Sequence, residues 1–142
     1  MTFDSTSVSA TETFASEFAR TLRGGEIVAL HGEMGAGKTH FVRGLVRGLG
    51  ADPRIVSSPT FVLLNVYDST RLKVFHLDAY RVAGAEDFES IGFAELLEEP
   101  GAITVVEWPD RVAPLLPPAT VHIRIEPTGP NRRRIQIDRP SA

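Results

Sequence analysis

Cysteine is absent from the 142 residues. No disulfide can brace the fold and no thiolate can hold a metal ion, a composition that fits a reducing cytoplasm. A membrane-spanning run is missing too. No stretch approaches the ~18 consecutive apolar residues of a bilayer helix, so no membrane partner is expected. The opening Met1-Thr2-Phe3-Asp4-Ser5 lacks the basic segment and apolar run of a secretory signal. Positive charge is not in excess. Lys and Arg number 15 against 18 Asp and Glu, a net charge of −3, which argues against holding nucleic acid by the chain's own electrostatics. Internal repeats and low-complexity tracts are also lacking. What remains, 42% hydrophobic and 23% charged residues, is globular, and the length suits one domain over residues 1–142.

One signature is present without a mismatch. Gly32-Glu33-Met34-Gly35-Ala36-Gly37-Lys38-Thr39 fits G-x-x-x-x-G-K-[ST], the P-loop of nucleotide triphosphatases. Its glycines let the backbone close around phosphate oxygens with successive N–H groups turned inward. Lys38 would reach the β- and γ-phosphates and the Thr39 hydroxyl would sit on Mg²⁺. The helix that follows adds its positive N-terminal end. The flanks agree with this reading. Glu26 to His31 is an apolar run of strand length, while Phe41, Val42, Leu45, Val46 and Leu49 share one helical face, with Gly50 placed to stop it.

The other elements follow from periodicity. Ser9-Ala10-Thr11-Glu12 reads as a capping box opening a helix with Phe14, Phe18 and Leu22 on one stripe, ended by Gly24-Gly25. Residues 1 to about 8 read as an extended lead-in. A strand is predicted from about Phe61 to Tyr67, with Leu72 to Leu77 as its hairpin partner. The preceding Ser58-Pro59-Thr60 fits an ordinary proline turn, and equally a switch loop in which a threonine senses the γ-phosphate. Asp78 and Glu107 each end an apolar strand, where a Mg²⁺-associated acid belongs in this architecture, and Glu107 closes the better match to a central strand. Residues 85 to 97 form an acidic amphipathic helical stretch broken at Gly92, a solvated face or a surface for a partner. Trp108 reads as a core aromatic or as a ring stacked near the site. Val121 to Ile137 form a C-terminal hairpin. Its Arg132-Arg133-Arg134 run defends an exposed edge, and we single out Arg132 as the arginine leaning toward a phosphate or base. His31, His40, His76 and His122 lack metal-binding spacing and are read as structural.

Gly32 to Thr39, Ser58-Pro59-Thr60-Phe61, His76-Leu77-Asp78-Ala79-Tyr80-Arg81 and Val106-Glu107-Trp108-Pro109 occur in that order. The ordered set resembles the bacterial TsaE (YjeE) family over about residues 9 to 138. The resemblance implies an α/β fold, a small P-loop domain with a mixed sheet flanked by helices. It implies a weak Mg²⁺-dependent ATPase that supports synthesis of N6-threonylcarbamoyladenosine at position 37 of tRNAs reading codons that start with A. The implied partner is the TsaD–TsaB heterodimer, with tRNA met only through that complex. Carried over by position, Met34, Gly35, Ala36, Gly37, Lys38 and Thr39 would hold the phosphates. Thr39 and Glu107 would bind Mg²⁺, and Asp78 would position the attacking water or an outer-shell metal water. Ser58 and Thr60 would form the switch-like loop, and Trp108 would lie beside the nucleotide. Two departures, His40 where relatives often carry threonine and Ala79 for a larger aliphatic residue, touch no implied metal ligand. Two rival readings are a small-molecule kinase, for which no Arg-rich lid segment exists, and a GTPase, for which the guanine-reading Asn-Lys-x-Asp string is missing. A third, non-enzymatic reading makes nucleotide binding a docking switch.

Overall fold

The computed structural model describes residues 1–59 and 63–140. Seven strands make one mixed sheet in the order β1-β7-β6-β2-β5-β4-β3. They are β1 (Thr2–Ser5), β2 (Ile27–His31), β3 (Leu64–Tyr67), β4 (Lys73–Asp78), β5 (Ala102–Glu107), β6 (Val121–Pro127) and β7 (Arg133–Asp138). The four strands β6, β2, β5 and β4 run parallel, and β1, β7 and β3 are added antiparallel. The helices are α1 (Val8–Ala19), α2 (Lys38–Gly48), α3 (Ala85–Ser90) and α4 (Phe93–Leu97).

Strand alternation decides which side chains reach which face. On β5, Ile103 and Val105 join the core that includes Phe41, Val42, Leu45 and Val46 of α2, while Ala102 and Val106 join Phe88, Phe93 and Val112 on the opposite side. Period two then puts Glu107 on the α2 side. On β4 the same count takes Val74, His76 and Asp78 to that side, and the parallel register sets Asp78 opposite Glu107. Both acids therefore finish at the C-terminal edge of the parallel strands, beside the start of α2.

Helix α2 ends as its sequence foretells. Gly50 takes φ 94°; its amide bonds Arg47 O at 3.0 Å, and the Ala51 amide bonds Val46 O at 3.0 Å. This is the paired-bond stop that a left-handed glycine permits. Two other glycines in α2 act by being small. A Cβ on Gly44 would stand 2.2 Å from the Glu12 carbonyl oxygen, and one on Gly48 would stand 2.4 Å from that of Ser16. Helices α1 and α2 thus touch backbone to backbone.

Several expectations need correction. The lead-in is a strand, β1, whose partner β7 lies at the far end of the chain, in the register Thr2↔Gln136. Strand β7 is accordingly interior, flanked by β1 and β6, so the arginine run does not defend an edge. The cap of α1 is Ser7, whose Oγ accepts from the Ala10 amide at 2.9 Å; Ser9 lies inside the helix. The end of β1 at Ser5 sets that start, with Ser5 Oγ bonded to Thr11 Oγ1 at 2.7 Å. Helix α1 stops at Ala19, before the glycine pair, and tighter i to i−3 bonds carry the chain through Leu22, which stays fully buried. The break in the acidic stretch falls at Gly92, as read, with φ 77°. The predicted strand start at Phe61 lies outside the described residues.

Candidate functional site

The loop between β2 and α2 curls through two left-handed glycines, Gly35 at φ 77° and Gly37 at φ 102°. Behind it, a Cβ on Gly32 would meet Ile125 O at 3.0 Å and the Ala36 side chain at 3.1 Å, so the loop sits tight on β6. In front of it opens a cleft of about 280 Å³. Of the residues named from sequence, Met34, Gly35, Gly37, Lys38, Thr39, Ser58, Asp78, Glu107 and Trp108 line it.

Lys38 occupies the centre. It is only 6% exposed, and among the described residues its Nζ has no hydrogen-bond partner. The ammonium stands 3.8 Å from Glu107 Oε1 and 4.1 Å from the centre of the Trp108 ring. Burial lowers its pKa from the ordinary lysine value, against the pull of Glu107 and Asp78 in the other direction. A buried cation short of acceptors is a costly arrangement in an otherwise well-packed chain, and it is relieved by an anion entering the cleft. Glu107 is held from behind by His76 Nε2 at 2.5 Å. Asp78 Oδ1 accepts from the Tyr80 amide at 2.8 Å. Trp108 follows Glu107 at φ 55°, a conformation uncommon for a large residue, and Pro109 opens a 3-10 segment directly after it. The turn brings the indole over Lys38 and 5.0 Å from the Tyr80 ring.

Two sequence-named residues are placed otherwise. Ala36 is fully buried, with its amide donating to Glu33 O at 3.0 Å, so it faces the core and not the cleft. Arg132 is exposed and does not line the cleft; Arg133 does. The Arg133 guanidinium donates to Ala36 O at 2.8 Å and Gly35 O at 3.2 Å, strapping the outer side of the loop to β7. The signal for this was in the sequence: Arg133 is two residues before Ile135, on the apolar side of its strand. Thr60 lies outside the described residues. His76, read as merely structural, bonds Glu107 directly; the step of two from His76 to Asp78 puts both on one face of β4, and the β4–β5 register brings Glu107 to them.

A histidine pair flanks the loop. His31, one residue before Gly32, shares a 2.8 Å hydrogen bond with His122 and stands 3.9 Å from Asp110. Burial, then Arg124, lower the His31 pKa from 6.5 to about 4. Between those values the unfolded chain binds a proton that the folded chain refuses, so stability falls as pH drops through that window. His31→Gln is expected to remove up to about 3 kcal/mol of this acid sensitivity. Urea melts at about pH 7.5 and about pH 4.5 check it, and equal acid losses in both proteins would clear His31 of the effect. Among the described residues no group of three or more His, Cys, Asp or Glu has a metal-holding arrangement by itself, and no helix is long and apolar enough to cross a membrane.

Comparison with known proteins decides the family. A family model described as "Threonylcarbamoyl adenosine biosynthesis protein TsaE" matches residues 5–135. The chain belongs to the TsaE family. It is 42% identical over 133 residues to a protein of Treponema pallidum named tRNA threonylcarbamoyladenosine biosynthesis protein TsaE, covering 94% of this chain and 96% of that one. An Aquifex aeolicus protein of the same name is 38% identical over 126 residues, 88% of this chain and 86% of the relative. Among solved structures, Bacillus subtilis YdiB superposes with a TM-score of 0.74 at 25% identity, covering 96% of this chain and 83% of YdiB. The resemblance drawn from the ordered motifs, and the small mixed-sheet α/β fold it implied, both stand.

Proposed function

We propose that the cleft binds ATP with Mg²⁺ and hydrolyses it slowly, in support of threonylcarbamoyladenosine formation on tRNA. The observation carrying this reading is the buried Lys38 ammonium, without a hydrogen-bond acceptor among the described residues, at the mouth of a phosphate-binding loop. The residues around it fit the group. Glycines keep side chains out of the loop's concave side, Lys38 supplies one positive charge, and Glu107 and Thr39 offer oxygens of the type Mg²⁺ prefers. When bound, the ion neutralises phosphate charge that develops during transfer.

The chain's own residues do the rest. Lys38 holds the β- and γ-phosphates, and Thr39 with Glu107 holds the metal. Asp78 orients a water for attack, and Ser58 contributes from the facing loop. Trp108 flanks the nucleotide, and Arg133 keeps the loop carbonyls turned away from the anion. Both Arg133 donors to the loop are already engaged, so faster turnover awaits a charge brought by a partner. The family resemblance names that partner as the TsaD–TsaB heterodimer, with tRNA reached through the complex and the setting cytoplasmic. ATP turnover measured alone and with TsaD–TsaB tests the reading; equal rates would count against it, and no heat of ATP binding with Mg²⁺ present would end it.

One substitution separates the neighbouring arginines. Arg133→Ala is expected to weaken ADP binding about tenfold, because two loop carbonyls lose charged donors, while Arg132→Ala changes it little. Trp108 is the sole tryptophan, so its fluorescence follows both titrations. Equal effects from the two variants would remove Arg133 from the loop's support.

A further inference from the structure

A chain of polar groups, buried at Glu107, His76 and Tyr67 and ending on the exposed Ser57, leads from the cleft to the opposite loop, and the phosphate-binding reading leaves it unused. It starts at Glu107, whose Oε2 meets His76 Nε2 at 2.5 Å. His76 is fully buried, and its Nδ1 stands 2.9 Å from the Tyr67 hydroxyl. That hydroxyl in turn bonds the Ser57 backbone on both sides, reaching the carbonyl at 2.9 Å and receiving the amide at 3.3 Å. Asn65 Nδ2 reinforces the same point, donating to Ser57 O at 3.1 Å and Ser57 Oγ at 3.2 Å. The next residue, Ser58, lines the cleft.

The chemistry orders this chain. A carboxylate only accepts, so His76 donates from Nε2 toward Glu107, and in the neutral ring Nδ1 is then an acceptor for the tyrosine hydroxyl. Burial raises the Tyr67 pKa above its ordinary value, so the hydroxyl keeps its proton. One hydroxyl proton thus has two acceptors, the ring nitrogen and the Ser57 carbonyl, each at 2.9 Å. Polar groups buried this deeply are tolerated only when each is satisfied, and a change at one end alters the bonding at the other.

We propose that Tyr67 and His76 are positioning residues that couple the seating of the Ser57–Ser58 loop to the orientation of the Glu107 carboxylate. The inference rests on the reading of Glu107 as the Mg²⁺-holding acid. Withdrawal of the loop from the cleft removes the Ser57 contacts, redirects the Tyr67 proton to His76, and changes the hydrogen bond that aims the acid.

Two substitutions at one site split the coupling. His76→Gln places an amide donor where Nε2 stood and keeps the bond to Glu107 while losing Tyr67; His76→Asn keeps an acceptor for Tyr67 and loses Glu107. Hydrogen exchange of the segment 56–59, measured without nucleotide, is expected to quicken on the order of tenfold in Tyr67→Phe, to slow in His76→Gln, where the hydroxyl proton is left wholly to the Ser57 carbonyl, and to stay near wild type in His76→Asn. The second readout is the ratio of ADP dissociation constants in EDTA and in Mg²⁺, followed by Trp108 fluorescence. Tyr67→Phe is expected to lower that ratio about tenfold with the EDTA value unchanged. It is expected to add nothing in the His76→Gln background, where the link is already cut. Unchanged exchange in Tyr67→Phe, or equal behaviour of His76→Gln and His76→Asn, overturns the proposal. Should the histidine variants melt at the assay temperature, Tyr67→Phe, which removes one oxygen, decides alone. A wild-type ratio of one would instead defeat the Mg²⁺ reading, and the exchange arm would still decide the coupling.

Discussion

Lys38→Met is expected to weaken ATP·Mg²⁺ binding by roughly 100-fold, the loss of charge-assisted bonds amounting to about 3 kcal/mol. The ligand-free protein is expected to melt no lower than wild type. The two halves have one cause. In the empty cleft the ammonium is 6% exposed and has no hydrogen-bond acceptor among the described residues. Its lowered pKa means that burial outweighs the attraction of Glu107 and Asp78, so carrying the charge there is a net expense to the folded state. An apolar chain of similar length removes that expense together with the phosphate contact. Calorimetric titration gives the first half and thermal melting the second. Unchanged affinity would take Lys38 out of the phosphate site. A fall of several degrees in melting temperature would make the lysine a structural counter-ion for the two acids.

Gly44→Ala is expected to destabilise the protein by about 3 kcal/mol or more, since the new methyl overlaps backbone and nothing flexible can yield. Its Cβ would lie 2.2 Å from Glu12 O and 2.7 Å from Glu12 Cα, both main-chain atoms of α1. The two helices must separate, and α2 carries Lys38 and Thr39 at its first turn. Loss of stability and of nucleotide affinity should therefore arrive together. Gly84→Ala is the control, because a Cβ there meets nothing within 4 Å and the backbone is extended at φ 177°. Urea denaturation compares the two, and similar midpoints would refute backbone contact between the helices as a source of stability.

Much of the fold was readable because its signals are local. The strand-loop-helix of residues 27–48, the Gly50 stop, the Gly92 break and the C-terminal hairpin are each set by residues within one or two turns of one another. What escaped depends on partners far along the chain. Strand β1 has four residues and only one apolar side chain among them, and pairing with β7 makes it a strand. That same pairing ends β1 at Ser5 and moves the helix cap to Ser7, although Ser9 and Glu12 carry the capping pattern. In the site, residue types were legible and neighbours were not. The acids announced themselves by closing apolar strands. Choosing Arg133 over Arg132 needed the strand's period to be counted from Ile135, and the part played by His76 needed the register of β4 against β5.

The place of β7 has a consequence for how the protein is made. Of the seven strands described, this one comes last in chain order, yet it fills the gap between β1 and β6 and completes both ladders. Until residues 133 to 138 emerge, β6 has one raw edge and β1 lacks its β7 ladder. Pairing across nearly the whole chain is entropically slow to close. A nascent or C-terminally clipped chain therefore exposes an open, isoleucine-rich border, and clumping of such fragments is the hazard this topology carries.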